Sequence, residues 1–219
     1  MNLEHARINM IEQQIRPWGV PDQTVLDTLA AIQREQFTPP AYRLLAFADV
    51  EIPLGYDEYM MAPRVEARML QSLSITPQDT CLEIGTGSGF VTACMAHLSK
   101  HVDSVDIHED FTRQAEEHLA TNGLHNYTLY TGDVLRDWQP TRQYDVIAVT
   151  SSLPAMLPRL ESWLAPGGRM FMVLGTQNAM QAVLFTRVND GELQKTILFD
   201  TNLRALVGAE ADASAYFKF

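Results

Sequence analysis

Cysteine is nearly absent: Cys81 and Cys94 are the only two in 219 residues. Two thiols do not build a disulfide framework. No stretch approaches the roughly 18 consecutive apolar residues of a membrane-spanning helix, so none is expected. The start, Met1-Asn2-Leu3-Glu4-His5, lacks the basic and apolar regions of a secretory signal, and a cytoplasmic location is the default expectation. The Asn126-Tyr127-Thr128 triplet is then a chance match to the glycosylation pattern. Positive charge is scarce too: 16 Lys+Arg against 27 Asp+Glu gives a net charge of -11. A field of that sign repels phosphate backbones and argues against a nucleic-acid partner. Internal repeats and low-complexity segments are missing as well.

What is present is ordinary for an ordered globular chain: 46% hydrophobic and 20% charged residues. The length suits one α/β domain with extensions, large enough to bury a core without metal or disulfide staples.

The pattern divides the chain into residues 1–75 and 76–219. The first part reads as helical. Ile8, Ile11 and Ile15 recur at helical spacing until Pro17. Asp22 is placed to cap a helix carrying Val25, Leu26, Leu29 and Ile32. Residues 48–62 read as irregular, broken by Pro53 and Gly55, and Pro63 opens a further helix. In the second part strand and helix alternate. Strands are expected at Thr80 to Ile84, Val102 to Ile107, Tyr127 to Tyr130, Tyr144 to Val149 and Arg169 to Leu174. Pro166-Gly167-Gly168 reads as a turn. Val183 to Val188 and Leu193 to Phe199 flank Asn189-Asp190-Gly191, a hairpin turn. The expected fold is α/β: a doubly wound, mainly parallel sheet covered on both faces, with an antiparallel C-terminal hairpin and an N-terminal helical extension.

The strongest local signal is Glu83-Ile84-Gly85-Thr86-Gly87-Ser88-Gly89-Phe90, where a strand hands over to a helix. Glycine there permits positive φ and close approach of a ligand. The spacing is G-x-G-x-G; a dinucleotide fingerprint would need its third glycine at Phe90, so a nicotinamide cofactor is the weaker reading. No Lys-Ser/Thr pair follows, which excludes a Walker loop. Asp106 ends the next strand, where a carboxylate can accept two hydrogen bonds from a ribose diol. Gly132-Asp133 follows the third strand, and Asp133 is placed to accept from an adenine amino group. Thr150-Ser151-Ser152 ends the fourth, facing the same crevice. Each acid alone is more often a solvated surface charge; four elements in this order are not readily chance.

That order resembles the S-adenosylmethionine-dependent methyltransferases of the Rossmann-like class. Within them the chain is similar to the protein-L-isoaspartate O-methyltransferase family over nearly its full length. The resemblance is carried by Leu82 to Gly89, by Gly132-Asp133, by Tyr144 to Thr150, and by Leu164-Ala165-Pro166-Gly167-Gly168-Arg169. Val25-Leu26, Arg34-Glu35-Gln36-Phe37, Ala41-Tyr42 and Ile52-Pro53-Leu54-Gly55 point to this family rather than another.

The resemblance implies that residues 85–89 pass under the methionine part of S-adenosylmethionine. Asp106, where the family usually has Glu, would hold the ribose and Asp133 the adenine. The whole cofactor set is Glu83, Gly85, Thr86, Gly87, Ser88, Gly89, Asp106, Ile107, Gly132, Asp133 and Thr150, with S-adenosylhomocysteine as product and no metal. The implied partner is a protein or peptide bearing isoaspartate, with no nucleic acid and no membrane. The family methylates the α-carboxylate exposed when Asn or Asp rearranges, a step in repair of aged proteins. The chemistry asks little of side chains: a methyl sulfonium is already activated and a carboxylate is already ionised at pH 7. Holding the reactants in line and orienting the anion suffice, and no general base is required.

One segment departs from the family. Its Gln-Thr-Ile-Ser falls on Glu58-Tyr59-Met60-Met61. The family serine beside the substrate carboxylate is thus Met61, which has no O–H to donate. Glu58 adds negative charge where an anion should arrive. Either Tyr59, Arg64, Thr150 or Ser151 supplies a donor, or the acceptor is different. Arg64 can bind a carboxylate in two-point fashion or simply pair with Glu66 on its own helix; Tyr59 reads more as packing than catalysis. The alternatives to an isoaspartyl enzyme are a methyltransferase on another acceptor and a catalytically silent cofactor-binding module. His97 and His101, four apart, lack a third ligand and read as surface histidines. Cys81 and Cys94 read as buried packing.

Overall fold

A computed structural model of the chain describes residues 2–176, 179–188 and 191–209. Asn189 and Asp190 of the expected hairpin turn lie outside the described residues, as do the acidic residues at 210 and 212.

The N-terminal pattern folds as read. Asn2 caps α1 (Leu3–Met10). The helix continues as a π turn over Ile11–Ile15 and a 3-10 turn over Arg16–Trp18. Pro17 and a left-handed Gly19 end it. Asp22 accepts from the Thr24 amide at 2.9 Å and opens α2 (Gln23–Ala31). Pro63 occupies the first turn of α3 (Pro63–Leu73), where a missing N–H costs nothing.

Between them, residues 48–62 correct the sequence reading. They contain an antiparallel hairpin, β1 (Ile52–Gly55) with β2 (Glu58–Met60). Its two-residue turn places Tyr56 and Asp57 at φ +54° and +60°. Such a turn ordinarily announces itself with Asn-Gly. Here tertiary contacts hold it. Tyr56 stacks on His108 with ring centroids 4.2 Å apart, and its hydroxyl donates to Asp110. Asp57 pairs with Arg204 at 2.6 Å.

The main sheet has seven strands in the order β5-β4-β3-β6-β7-β8-β9. They are β3 (Thr80–Ile84), β4 (His101–Asp106), β5 (Tyr127–Thr131), β6 (Tyr144–Leu153), β7 (Leu164–Thr176), β8 (Ala179–Arg187) and β9 (Leu193–Asp200). The first five are mutually parallel; β8 and β9 run antiparallel at one edge, as expected. Helices α4 (Phe90–Leu98), α5 (Glu109–Thr121) and α6 (Pro158–Trp163) link β3 to β4, β4 to β5 and β6 to β7, while residues 132–143 join β5 to β6 through turns. The expected turn at Pro166-Gly167-Gly168 is instead the irregular start of β7, with a register shift against β6.

Strand periodicity sorts the core into two faces. Cys81, Val146, Ala148, Phe171 and Val173 join one buried cluster with the N-terminal helices and α4. Leu82, Ile84, Ile147, Val149, Met170 and Met172 join the other, with Leu160 and Trp163 of α6. Residues of 1–75 and 76–219 therefore share one core cluster. Cys81 and Cys94 are both buried and unbridged. Strand order reverses at β3, with β4 on one side and β6 on the other. A doubly wound sheet opens its ligand crevice there, beyond the carboxyl ends of the strands. Among the described residues no helix is long and apolar enough to cross a membrane.

Candidate active site

Beyond β3 the chain turns through Gly85, Gly87 and Gly89, all at positive φ. At two of them a side chain is sterically impossible without movement. A Cβ on Gly85 would lie 2.3 Å from Thr150 Oγ1, and one on Gly89 2.9 Å from the Ala115 Cβ. Asp106, at the end of β4, fixes the loop from the side. Its Oδ2 accepts from the Gly87 amide and its Oδ1 from the His108 amide, both at 2.9 Å. Burial raises its pKa, and those two amide bonds partly offset the shift. Each oxygen keeps a second lone pair for a ligand hydroxyl.

The neighbouring strand completes the cleft. The Gly132 amide donates to the Asp106 carbonyl at 2.9 Å. Asp133 accepts from the Leu135 amide at 2.8 Å and lies 3.4 Å from Arg136. Asp106, Ile107, Gly132, Asp133, Gly85, Gly87, Thr150 and Ser151 thus line one cleft. Thr86 and Ser88 line its inner end together with Glu83. Sequence reading missed other walls of this space: Leu54, His108, Phe111, Val134 and Leu206. His108 and Val134 immediately follow assigned residues, a usable signal. Leu54 and Leu206 arrive from distant segments; Leu54 belongs to the Ile52-Pro53-Leu54-Gly55 segment that carries the family resemblance, and Leu206 had no signal.

Glu83 is fully buried. Thr92 and, at 2.6 Å, Ser104 donate to its Oε2. Burial pushes its pKa up to about 8 despite those bonds. Next to it lies a feature the sequence did not announce. Arg34, 1% exposed, bonds Glu66 at 3.3 Å and the Met61 carbonyl at 2.6 Å. Burial raises Glu66 to about 7, and the attraction of Arg34 only partly opposes it.

The substrate-side residues separate. The Thr150 hydroxyl bonds the Ile84 and Gly85 carbonyls, so its one hydrogen is committed to the loop. Ser152, grouped with it in the sequence, is buried in a β6 extension and donates to the Leu203 carbonyl. Arg64 does not pair with Glu66, which faces Arg34. It bonds Asp49 at 2.7 Å and stacks over Trp18. It belongs to a second groove of about 1010 Å³ that also takes in Arg68, Phe199 and Arg204. Tyr59 is 41% exposed rather than packed. It lines the cleft, its inner end and the second groove alike. Met61 is buried against the inner end. Ser151 lines the cleft, and none of the described residues hydrogen-bonds its hydroxyl. His101 bonds Asp103 and Thr128 at 3.1 Å, while His97 is exposed at the end of α4.

A doubly wound sheet with a G-x-G-x-G turn and acids ending the next two strands defines the class: a Rossmann-like, S-adenosylmethionine-dependent methyltransferase. The model of the protein-L-isoaspartate(D-aspartate) O-methyltransferases matches residues 5–211. A protein-L-isoaspartate O-methyltransferase of Koribacter versatilis is 34% identical over 209 residues, covering 95% of this chain and 94% of that protein. The chain belongs to the protein-L-isoaspartate(D-aspartate) O-methyltransferase family. Solved structures share the fold. One from Plasmodium falciparum, described as an isoaspartate methyltransferase in complex with S-adenosyl-L-homocysteine, superposes with a TM-score of 0.80 at 19% identity, over 94% of this chain and 98% of that one. Another protein-L-isoaspartate O-methyltransferase gives 0.78 at 21% identity, over 97% and 71%.

Proposed function

We propose that this chain methylates the α-carboxylate of isoaspartyl residues in damaged proteins or peptides. The observation that carries the reading is the position of Tyr59, which lines both the cofactor cleft and the neighbouring groove of about 1010 Å³. The cleft suits the cofactor on its own geometry: two glycines that a Cβ would block, and a carboxylate clamped by amides with lone pairs to spare. In our reading Asp106 holds the ribose, Asp133 and Ile107 the adenine, and residues 83–89 the methionine end.

When bound, the cofactor supplies an electrophilic methyl group on a sulfonium. The protein's part is to orient the carboxylate and exclude water from it. Ser151 and Tyr59 are the hydroxyls that support the donor role lost at Met61; Tyr59 would have to release Asp57, to which its hydroxyl donates at 3.4 Å. Thr150 is spent on the loop, and Arg64 is held by Asp49 and Trp18 at the far groove. No group needs to remove a proton, because the acceptor is already an anion.

The test is transfer of labelled methyl from S-adenosylmethionine to a peptide with one isoaspartate, against its normal aspartyl counterpart. Labelling of the isoaspartyl peptide alone is expected. A protein that binds the cofactor but labels neither peptide would overturn the substrate reading. It would favour the second reading, an uncharged acceptor, which rests on Met60 and Met61 walling the inner end.

A further inference from the structure

Three arginines line the second groove, and two of them are held by its own walls. Arg64 bonds Asp49 and stacks over Trp18. Arg68 lies 3.9 Å over the Phe199 ring and bonds the Leu198 carbonyl. Arg204 differs, because it shares a partner with Tyr59. Asp57 Oδ2 lies 2.6 Å from Arg204 Nη2, and Asp57 Oδ1 accepts from the Tyr59 hydroxyl at 3.4 Å. One carboxylate is thus held between a guanidinium that lines the groove and a hydroxyl from a residue that lines groove and cleft alike. The two sides of this contact are not equally fixed. The Arg204 carbonyl accepts from the Ser152 amide at 2.8 Å, and Ser152 Oγ donates to the Leu203 carbonyl at 2.9 Å. Those bonds tie Arg204 to the strand end that carries Ser151. Asp57 instead stands at the tip of the β1–β2 hairpin, at a φ of +60° and with its side chain 61% exposed. An exposed ion pair contributes little, and a non-glycine residue at positive φ costs free energy, so this contact gives way readily.

We propose that Asp57 is an internal stand-in for the substrate, and that the α-carboxylate of an arriving isoaspartyl residue displaces it from Arg204 and Tyr59. The inference rests on the isoaspartyl reading of the site. A guanidinium offers a carboxylate two parallel N–H donors, and the phenol adds an O–H. A peptide lying in the groove shields its own carboxylate from water, which strengthens the new pair over the exposed one. The exchange also frees the Tyr59 hydroxyl for the cleft, where Met61 brings none. Arg204 is then the residue that captures the anion. Asp57 keeps both donors covered while the groove is empty, and so competes with every substrate that arrives.

Initial rates of methyl transfer to an isoaspartyl peptide, at saturating S-adenosylmethionine, separate displacement from an ion pair that merely braces the hairpin. Arg204→Gln should raise KM about tenfold, the effect of one lost charge-assisted bond, and Asp57→Asn should lower it about two- to fivefold. Asparagine tolerates positive φ as aspartate does, so the turn should hold. In the Arg204→Gln background Asp57→Asn should leave KM within about 1.5-fold, because the receptor it competes for is gone. Should Arg204→Gln melt early, Arg204→Lys keeps the cation without the planar fork and should still raise KM about threefold. A brace would move both single variants the same way. KM shifted in one direction by both, or unmoved by Asp57→Asn, would overturn the displacement while leaving the isoaspartyl activity in place. Wild-type protein that binds the cofactor yet methylates no isoaspartyl peptide would overturn the substrate reading itself, and the displacement with it.

Discussion

Thr150 reaches across from β6 to hold the glycine turn: its Oγ1 lies 2.7 Å from the Gly85 carbonyl oxygen. A Cβ on Gly85 would sit 2.3 Å from that same atom, at a φ of +98°. Gly85→Ala is expected to lower stability by about 1–3 kcal/mol and to weaken cofactor binding. Adding Thr150→Ala removes the clash but not the positive φ. The double variant should therefore recover part of the loss in thermal melts and calorimetry. A double variant no better than the single would show that Thr150 is not what Gly85 accommodates.

In the proposed function Asp106 offers the ribose diol a carboxylate already fixed by the Gly87 and His108 amides. Hydrogen bonds to charged groups contribute about 1.5–3 kcal/mol. Asp106→Ala should weaken S-adenosylhomocysteine roughly 10- to 100-fold by calorimetry. Unchanged affinity would discard the ribose assignment.

Arg34 stands between Glu66 and the Met61 carbonyl, sealed from solvent. Removing one member of a buried pair costs about 3–5 kcal/mol, because the other charge is left without a partner. Arg34→Met should lose that much in denaturant unfolding. Arg34→Met with Glu66→Leu should recover part of it. A single variant within about 1 kcal/mol of wild type would contradict the paired arrangement.

Burial raises Glu83 from 4.5 to about 8 and Glu66 to about 7. Between about pH 4.5 and 8 the folded state of the free protein holds protons that the unfolded chain has released. The stability from these groups is therefore full below pH 4.5 and declines as pH rises through 7 and 8. Glu83→Gln should flatten that decline in denaturant midpoints taken from pH 5 to 8.5. An unchanged slope would mean that Glu83 is ionised throughout.

Ser151 and Tyr59 replace the hydroxyl missing at Met61 in the proposed reaction. Ser151→Ala and Tyr59→Phe should each lower kcat/KM on isoaspartyl peptide about tenfold, the effect of one lost hydrogen bond, with cofactor affinity unchanged. Met61→Ser should raise activity on the same peptide. If none of the three moves the rate, the acceptor is held elsewhere.

Much of this molecule is legible in the chain alone. Alternation of strands and helices is a local pattern, and it carried the parallel sheet and its antiparallel edge. Asp22, Pro17 and Pro63 marked helix ends because capping and proline geometry are local too. The glycine turn and its acids showed in the chain for the same reason: each sits at a fixed offset from the end of a strand. The hairpin at residues 52–60 did not. Its turn lacks the usual residues and is held by His108, Asp110 and Arg204, far away in the chain.

The amino-acid sequence by itself determined the sheet, the helix boundaries and the residues that end its strands at the crevice, because spacing and backbone chemistry act over a few residues. Only the tertiary structure decided which hydroxyls remain open to a substrate. Thr150 and Ser151 are adjacent and alike in chemistry, yet one is consumed by the Gly85 carbonyl and the other is not. It also decided that Glu66, which the sequence offered only as a helix partner for Arg64, is buried beside Glu83. Hydrogen-bond partners and loss of solvent are set by what packs across from a residue, and neighbours in the chain do not report that.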